Sequence, residues 1–188
     1  MKRYLVLLLI IILASFLRLY KLGEVPGSLD WDETSLGWNA YSILKTGTDE
    51  YGKAWPVSIR SFNDYKPPMY VYAAIPSIVV FGLNEFSVRL PSAIAGILTV
   101  FITYFLVKEL TKKDSLALLS SFLLAISPWS IQFSRGAFEA NLALFFFVFG
   151  VYLLLKKPFL SVFPFILSIY SYHSSRLVIP AFLVLLVV

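Results

Sequence analysis

Three carboxylates stand within four residues at Asp30-Trp31-Asp32-Glu33, and a lysine precedes a proline pair at Lys66-Pro67-Pro68. Acids this crowded repel one another unless a cation or a positive side chain is near. Oxygen-rich clusters of this kind suit Mg²⁺ or Mn²⁺, and a carboxylate there can take a proton from an acceptor hydroxyl. Farther along, Arg135 and Glu139 stand four apart, and His173 lies close to Arg176. Lys66, Arg135 or Arg176 can neutralise a phosphate leaving group. A single histidine excludes a histidine-rich zinc site, and the absence of cysteine excludes disulfides and thiolate ligands.

Each of these residues also has a plainer reading. Asp32 can cap the helix that follows it, and Glu33 can complement that helix's dipole. Asp30 reads as a solvated loop residue, Lys66 as a snorkelling interfacial lysine, and Arg89 and Arg176 as headgroup anchors. Arg135 and Glu139 can form no more than an i,i+4 pair. His173 can be an interfacial hydrogen-bonding residue.

Long apolar runs must position these groups. Of 188 residues 59% are hydrophobic and 14% charged, with mean hydropathy +0.79. Soluble domains carry about 25% charged residues, so a disordered chain, a disulfide scaffold and a soluble globular fold are all excluded. The net charge is +5. The basic residues lie beside apolar runs, which fits membrane headgroups and not nucleic acid.

Residues 4–20 read as a first span, without a small-x-small cleavage site that would mark a signal peptide. Lys21–Lys66 holds twelve of the 27 charged side chains, so it must be aqueous. Within it Leu36, Ala40, Ile43 and Leu44 recur at helical spacing before Gly47, which predicts an amphipathic surface helix over Glu33–Lys45. Apolar segments follow at Pro67–Leu83, Leu90–Val107, Ser115–Ile131, Phe138–Leu155, Phe159–Tyr172 and Leu177–Val188, with Pro91 in a first helical turn. The last is twelve residues against the roughly twenty a span needs, so the sequence reads as truncated. Keeping Pro67–Leu83 on the outer surface or re-entrant puts Lys108, Lys112, Lys113, Lys156 and Lys157 on the cytoplasmic side, as lysine prefers. The acidic loop and the site residues are then outside.

At these residues the chain resembles the GT-C membrane glycosyltransferases, and within them glycosyltransferase family 39, the protein O-mannosyltransferase and aminoarabinose-transferase group. Asp32-Glu33-Thr34 after a first helix resembles the family's first-loop acidic motif. Lys66-Pro67-Pro68-Met69-Tyr70 resembles its lysine-proline-proline element, and Arg89-Leu90-Pro91-Ser92-Ala93 the start of its next helix. Ser127-Pro128-Trp129 with Ser134-Arg135-Gly136-Ala137-Phe138-Glu139-Ala140 resembles its second outer-loop motif. The chain departs at Tyr65, where the aminoarabinose transferases have glutamate, and at Glu139, where aspartate is common. The resemblance implies inverting transfer of a sugar from a polyprenyl-phosphate carrier to a glycan, lipid or protein acceptor on the outer face. It implies Asp32 as catalytic carboxylate, Glu139 as the second acidic position and Lys66 as the residue near the donor phosphate.

The expectation is therefore an all-α integral membrane protein of the cell membrane, a multi-span bundle of about six transmembrane helices. Residues 1–188 form the N-terminal part of one glycosyltransferase module: a first span at 4–20, an outer loop with juxtamembrane segments at 21–89, and further spans at 90–188. Asp32, Glu33 and Glu139 are the candidate catalytic residues. Lys66, Arg135, Arg176 and His173 are the candidates for the donor phosphate, and Asp32 and Glu139 for a Mg²⁺ or Mn²⁺ ion. A transporter or lipid flippase fragment, or a non-catalytic scaffold, is the alternative; transport would call for charges at helix midpoints and broken helices in symmetric positions.

Overall fold

The computed structural model describes residues 2–186, and the chain is all-α apart from one small hairpin. The elements are α1 (Lys2–Leu19), α2 (Trp31–Thr46), β1 (Ile59–Ser61), β2 (Asp64–Lys66), α3 (Met69–Phe81), α4 (Glu85–Thr111), α5 (Asp114–Ile126), α6 (Pro128–Arg135), α7 (Glu139–Lys156), α8 (Pro158–Ile169) and α9 (Ser175–Leu185). The expected segment at 177–188 includes Val187 and Val188, which lie outside the described residues.

Among the described residues, two helices can cross a membrane by length and composition, Glu85–Thr111 and Glu139–Lys156, or three if the bent pair α5–α6 is one span. That is fewer than the roughly six spans expected from the sequence. α1 carries Lys2, Arg3 and Arg18 in 18 residues, while α8 and α9 have 12 and 11 residues. The segment expected at Ser115–Ile131 is not one helix. Ser127 ends α5 and caps α6, Pro128 opens α6, and the two axes differ by 56°. α3 has 13 residues; at ~1.5 Å each it reaches about 20 Å, short of a ~30 Å hydrocarbon core. It packs on α2 and α4, and its Tyr70, Val71, Ala74 and Ile78 share a core with Leu36, Ala40 and Ile43 of α2. These are the residues whose spacing predicted the surface helix, and Gly47 ends it in the left-handed region at φ 72°.

Two boundaries differ from the sequence reading. The cap of α2 is Asp30, not Asp32: Asp30 Oδ1 accepts from the Glu33 amide (2.7 Å), and Glu33 Oε2 accepts from the Asp30 amide (3.2 Å). This reciprocal capping box needs a carboxylate three residues after the cap, a spacing that Asp30 and Glu33 have. α4 begins five residues before Leu90, at Glu85 behind an Asn84 cap, so Pro91 lies inside the helix. Proline has no amide to offer the Ser87 carbonyl four residues back. α3 makes good the loss: Ser77 Oγ donates to Ser87 O (2.6 Å), and Tyr70 Oη donates to Val88 O (3.0 Å). Burial pushes the Tyr70 phenol well above its ordinary pKa, so it stays a donor.

The two ends of the bundle differ in charge. Arg3, Lys108 and the Tyr104 hydroxyl converge on Asp114, while Lys112 and Lys156 pair with Glu109. α4 starts beside the acidic loop and runs 27 residues, about 40 Å at ~1.5 Å per residue, to this basic end.

Candidate active site

The start of α2 is fixed by one buried pair. Arg89 Nε donates to Glu33 Oε1 (2.9 Å) and its NH2 group donates to Glu33 Oε2 (3.0 Å), a two-point contact between side chains 0% and 7% exposed. Glu33 Oε1 also accepts from the Ala137 amide (2.7 Å). With the capping bond, both carboxylate oxygens of Glu33 are occupied twice. The rest of the Arg89 guanidinium donates to the carbonyls of Leu22 (3.2 Å), Pro26 (2.8 Å) and Ser28 (2.7 Å). Arg89 is thus the centre of the first loop, not a headgroup anchor.

Arg135 does the same for α1. Its NH1 donates to the carbonyls of Leu17 (3.1 Å), Arg18 (3.4 Å) and Tyr20 (2.8 Å), and its NH2 to those of Lys21 (3.3 Å) and Val25 (2.8 Å). Helix C-terminal carbonyls lack intrahelical donors and favour positive charge. The guanidinium therefore spends its donors on backbone, and it makes no ion pair with Glu139. Arg18, which the sequence reading passed over, is fully buried and caps α5 through the carbonyls of Ala125 (3.0 Å) and Leu124 (3.3 Å). It also reaches Ser130 Oγ (2.9 Å) and Ser134 Oγ (3.2 Å) on α6. A charge inside an apolar run was the available signal. Gly96 of α4 makes room here, since a Cβ would lie 2.8 Å from Ser134 Cβ and 3.1 Å from Arg18 Nε.

Asp32, one residue before Glu33, meets a different environment. Its side chain is 51% exposed, and its one ion-pair partner is the Lys66 ammonium, presented by β2 with its side chain 9% exposed. The β1–β2 register pairs Ile59 with Lys66 and Ser61 with Asp64, and this turns Lys66 inward beneath Asp32. Trp31, Asp32, Ser61, Phe62, Asn63, Asp64 and Lys66 line an open cleft of about 490 Å³. Behind it, at the first residue of α7, Glu139 Oε1 is buried without a hydrogen-bond partner. The charges acting on that carboxyl come from Lys66, Asp32, Asp64 and Asp30. His173 joins the edge of the group: its Nε2 lies 2.9 Å from the Tyr65 carbonyl, next to Lys66. Arg176 is exposed at the start of α9.

The fold thus gathers Asp32, Lys66 and Glu139, with His173 at the rim. It commits Glu33, Arg89 and Arg135 to tying the scaffold together. If a hard cation binds here, the carboxylates that would hold it are Asp32 and Glu139, whose Oε1 is buried without a partner. Among the described residues no three His, Asp or Glu side chains converge. An ion held here would therefore take its other ligands from phosphate and water, the usual habit of Mg²⁺.

The family model for dolichyl-phosphate-mannose-protein mannosyltransferase matches residues 8–178, a stretch that contains every residue of this site. The chain belongs to that family. Among curated relatives, the Bacillus subtilis protein named "Putative mannosyltransferase YkcB" is 29% identical over 63% of this chain and 19% of its own length. An uncharacterized Aquifex aeolicus protein is 29% identical over 81% of this chain and 29% of its own. The Bacillus subtilis protein named "Putative mannosyltransferase YycA" is 24% identical over 80% of this chain and 21% of its own. The chain thus spans between a fifth and a third of the length of these relatives. No solved structure matches it significantly.

Proposed function

We propose that this chain carries the catalytic loop of a membrane glycosyltransferase of the cell membrane, which moves a sugar from a polyprenyl-phosphate carrier to a hydroxyl acceptor at the outer face. The observation that carries the reading is the contrast at one helix start. Glu33 is saturated, while Asp32 stays half-exposed in a cleft, with a buried lysine as partner and an unsatisfied carboxylate behind it.

Asp32 takes the proton of the acceptor hydroxyl, which is too weakly acidic to attack unaided. The acceptor oxygen bonds to the anomeric carbon as the bond from that carbon to the phosphate oxygen breaks, so a single displacement inverts the centre. The electron pair leaves with the phosphate, and Lys66 supplies positive charge nearby. A divalent ion bound by Asp32 and Glu139 would add Lewis-acid stabilisation of the leaving phosphate. We assign His173, beside Lys66 through the Tyr65 carbonyl, and the exposed Arg176 to the carrier's phosphate. Glu33 we assign to positioning Asp32, not to proton transfer. The concentration of lysine at the far end of α4 supports an outer-face site through the preference of lysine for the cytoplasmic side. Arg18 and Arg135 bond carbonyls at helix ends and Arg89 pairs with Glu33 and first-loop carbonyls, so these three buried arginines are tied into the scaffold, which disfavours a transporter reading.

The test uses the full-length protein in membranes with a labelled polyprenyl-phosphate sugar. Asp32→Asn should cut turnover on the order of 10²-fold or more, the range for a positioned general base. Retention of most of the activity would remove Asp32 from this role. Turnover of a nucleotide sugar without lipid carrier would overturn the donor assignment. A cysteine at Phe62 should react with an impermeant thiol reagent from outside and one at Lys112 should not; the reverse pattern would invert the topology.

A further inference from the structure

We infer that the cleft beside Asp32 is the acceptor subsite, and that its occupant is the ring of an uncharged saccharide. The inference rests on the transferase reading in calling the occupant the acceptor and in giving Lys66 to the donor's phosphate.

Ser61 supplies the first observation. It is 2% exposed, it lines the cleft, and its hydroxyl is buried without a hydrogen-bond partner. Buried hydroxyls are normally paired, because leaving one unmet costs its desolvation. A ligand hydroxyl would meet it. The neighbouring Asn63 amide and Asp64 carboxylate add donors and acceptors to the same wall.

The opposite character comes from two aromatic rings. Trp31 is 73% exposed and Phe62 60% exposed, yet they sit together with centroids 6.3 Å apart and planes tilted by 48°. Phe62 occupies the first turn position of the hairpin at φ 54°. That backbone favours glycine and strains a bulky side chain. A turn built for connection alone has no need of phenylalanine there. Flat aromatic faces next to hydroxyl and amide partners suit a ring with one apolar C–H face and a polar edge. The volume of about 490 Å³ lies within the usual range for small-ligand sites.

The charge and the hairpin edge narrow the class further. Asp32, Asp64 and Lys66 leave the lining with one net negative charge, and its one cation, Lys66, is already shared between Asp32 and the donor's phosphate, which disfavours a second phosphate on the acceptor. A peptide joining β2 as a further strand would need its edge carbonyls, and the Tyr65 carbonyl already meets His173.

The experiment is saturation-transfer NMR on the full-length protein in nanodiscs. The probes are methyl α-D-mannopyranoside, methyl β-D-glucopyranoside and the methyl glycoside of N-acetylglucosamine, beside glucose 6-phosphate and an N-acetyl-Ala-Thr-Ala amide. At least one neutral glycoside should bind. Ser61→Ala should weaken it roughly fivefold, the worth of one neutral hydrogen bond, and Trp31→Ala roughly tenfold or more. Trp38→Ala, which changes an exposed tryptophan outside the cleft, should leave binding as it was. Binding by the peptide alone, no glycoside binding, or binding insensitive to Ser61 and Trp31 would each overturn the inference. Loss of glycoside binding when intact lipid-linked donor is added would make this the donor's sugar pocket and also overturn it. No turnover is required, so a failure here is distinct from a failure of Asp32→Asn to slow transfer.

Discussion

Asp32 and Glu33 are adjacent carboxylates on one helical turn, and they belong to two differently built regions. Glu33 faces inward to a region where guanidinium groups and carbonyls satisfy each other completely: Arg89 at the first loop, Arg135 at the end of α1, Arg18 at the end of α5. Asp32 faces a cleft in which Ser61 Oγ and, behind it, Glu139 Oε1 have no partner. Where polar groups are saturated they hold shape, and where they are left open they are available to a ligand. The rigid side places Asp32 without touching what binds there.

The same carboxylate-to-amide change should therefore give opposite results at the two neighbours. Glu33→Gln leaves the fully buried Arg89 without its counterion. Breaking such a pair costs roughly 3–5 kcal/mol, so thermal unfolding in detergent should drop sharply, and a melting curve like wild type would mean that the inner region is not the scaffold. Gly96→Ala forces a Cβ into Ser134 and Arg18 Nε. It should cost about 1–3 kcal/mol as an overpacked contact, and an unchanged melting temperature would show that α4 and α6 can separate. Asp30→Ala removes the cap and should cost about 1 kcal/mol. An equal loss on Asp32→Ala and none on Asp30→Ala would reverse the cap assignment. Asp32→Asn takes the charge from the Lys66 ion pair but keeps an acceptor beside the ammonium at a half-exposed position, so it should cost up to about 1 kcal/mol, well below Glu33→Gln, even as it cuts turnover. If it unfolds the protein as Glu33→Gln does, the contrast between the two regions is gone.

Local chemistry was legible in the sequence, and long-range pairing was not. The spacing of Leu36, Ala40 and Ile43 and the glycine at 47 gave α2 and its buried face, because amphipathic period and a left-handed stop are local properties. Asp30-x-x-Glu33 carries the capping box in plain view, yet three acids within four residues leave the cap ambiguous until the backbone settles it. Pro91 reads as a helix start, since nothing near it in sequence reveals that Ser77 would meet the Ser87 carbonyl it orphans, with Tyr70 bonding the next carbonyl at Val88. The hairpin is not legible in the sequence, because strands of three residues are too short for an apolar–polar repeat to register. Its charge groups Arg135 with the phosphate-binding candidates; its actual partners, Leu17 to Val25, are set by tertiary packing.

Those separations bear on how the protein is made. Arg135 meets Leu17 across 118 residues and Val25 across 110, and Arg89 meets Leu22 across 67. During synthesis the first loop therefore emerges long before the side chains that will hold its carbonyls. Its shape waits for α4, and the end of α1 waits for α6. A ribosome-bound chain ending before Arg135 contains Asp32 but not the Ala137 amide that helps hold its neighbour Glu33, so the candidate site is completed late, by partners made well after the first loop.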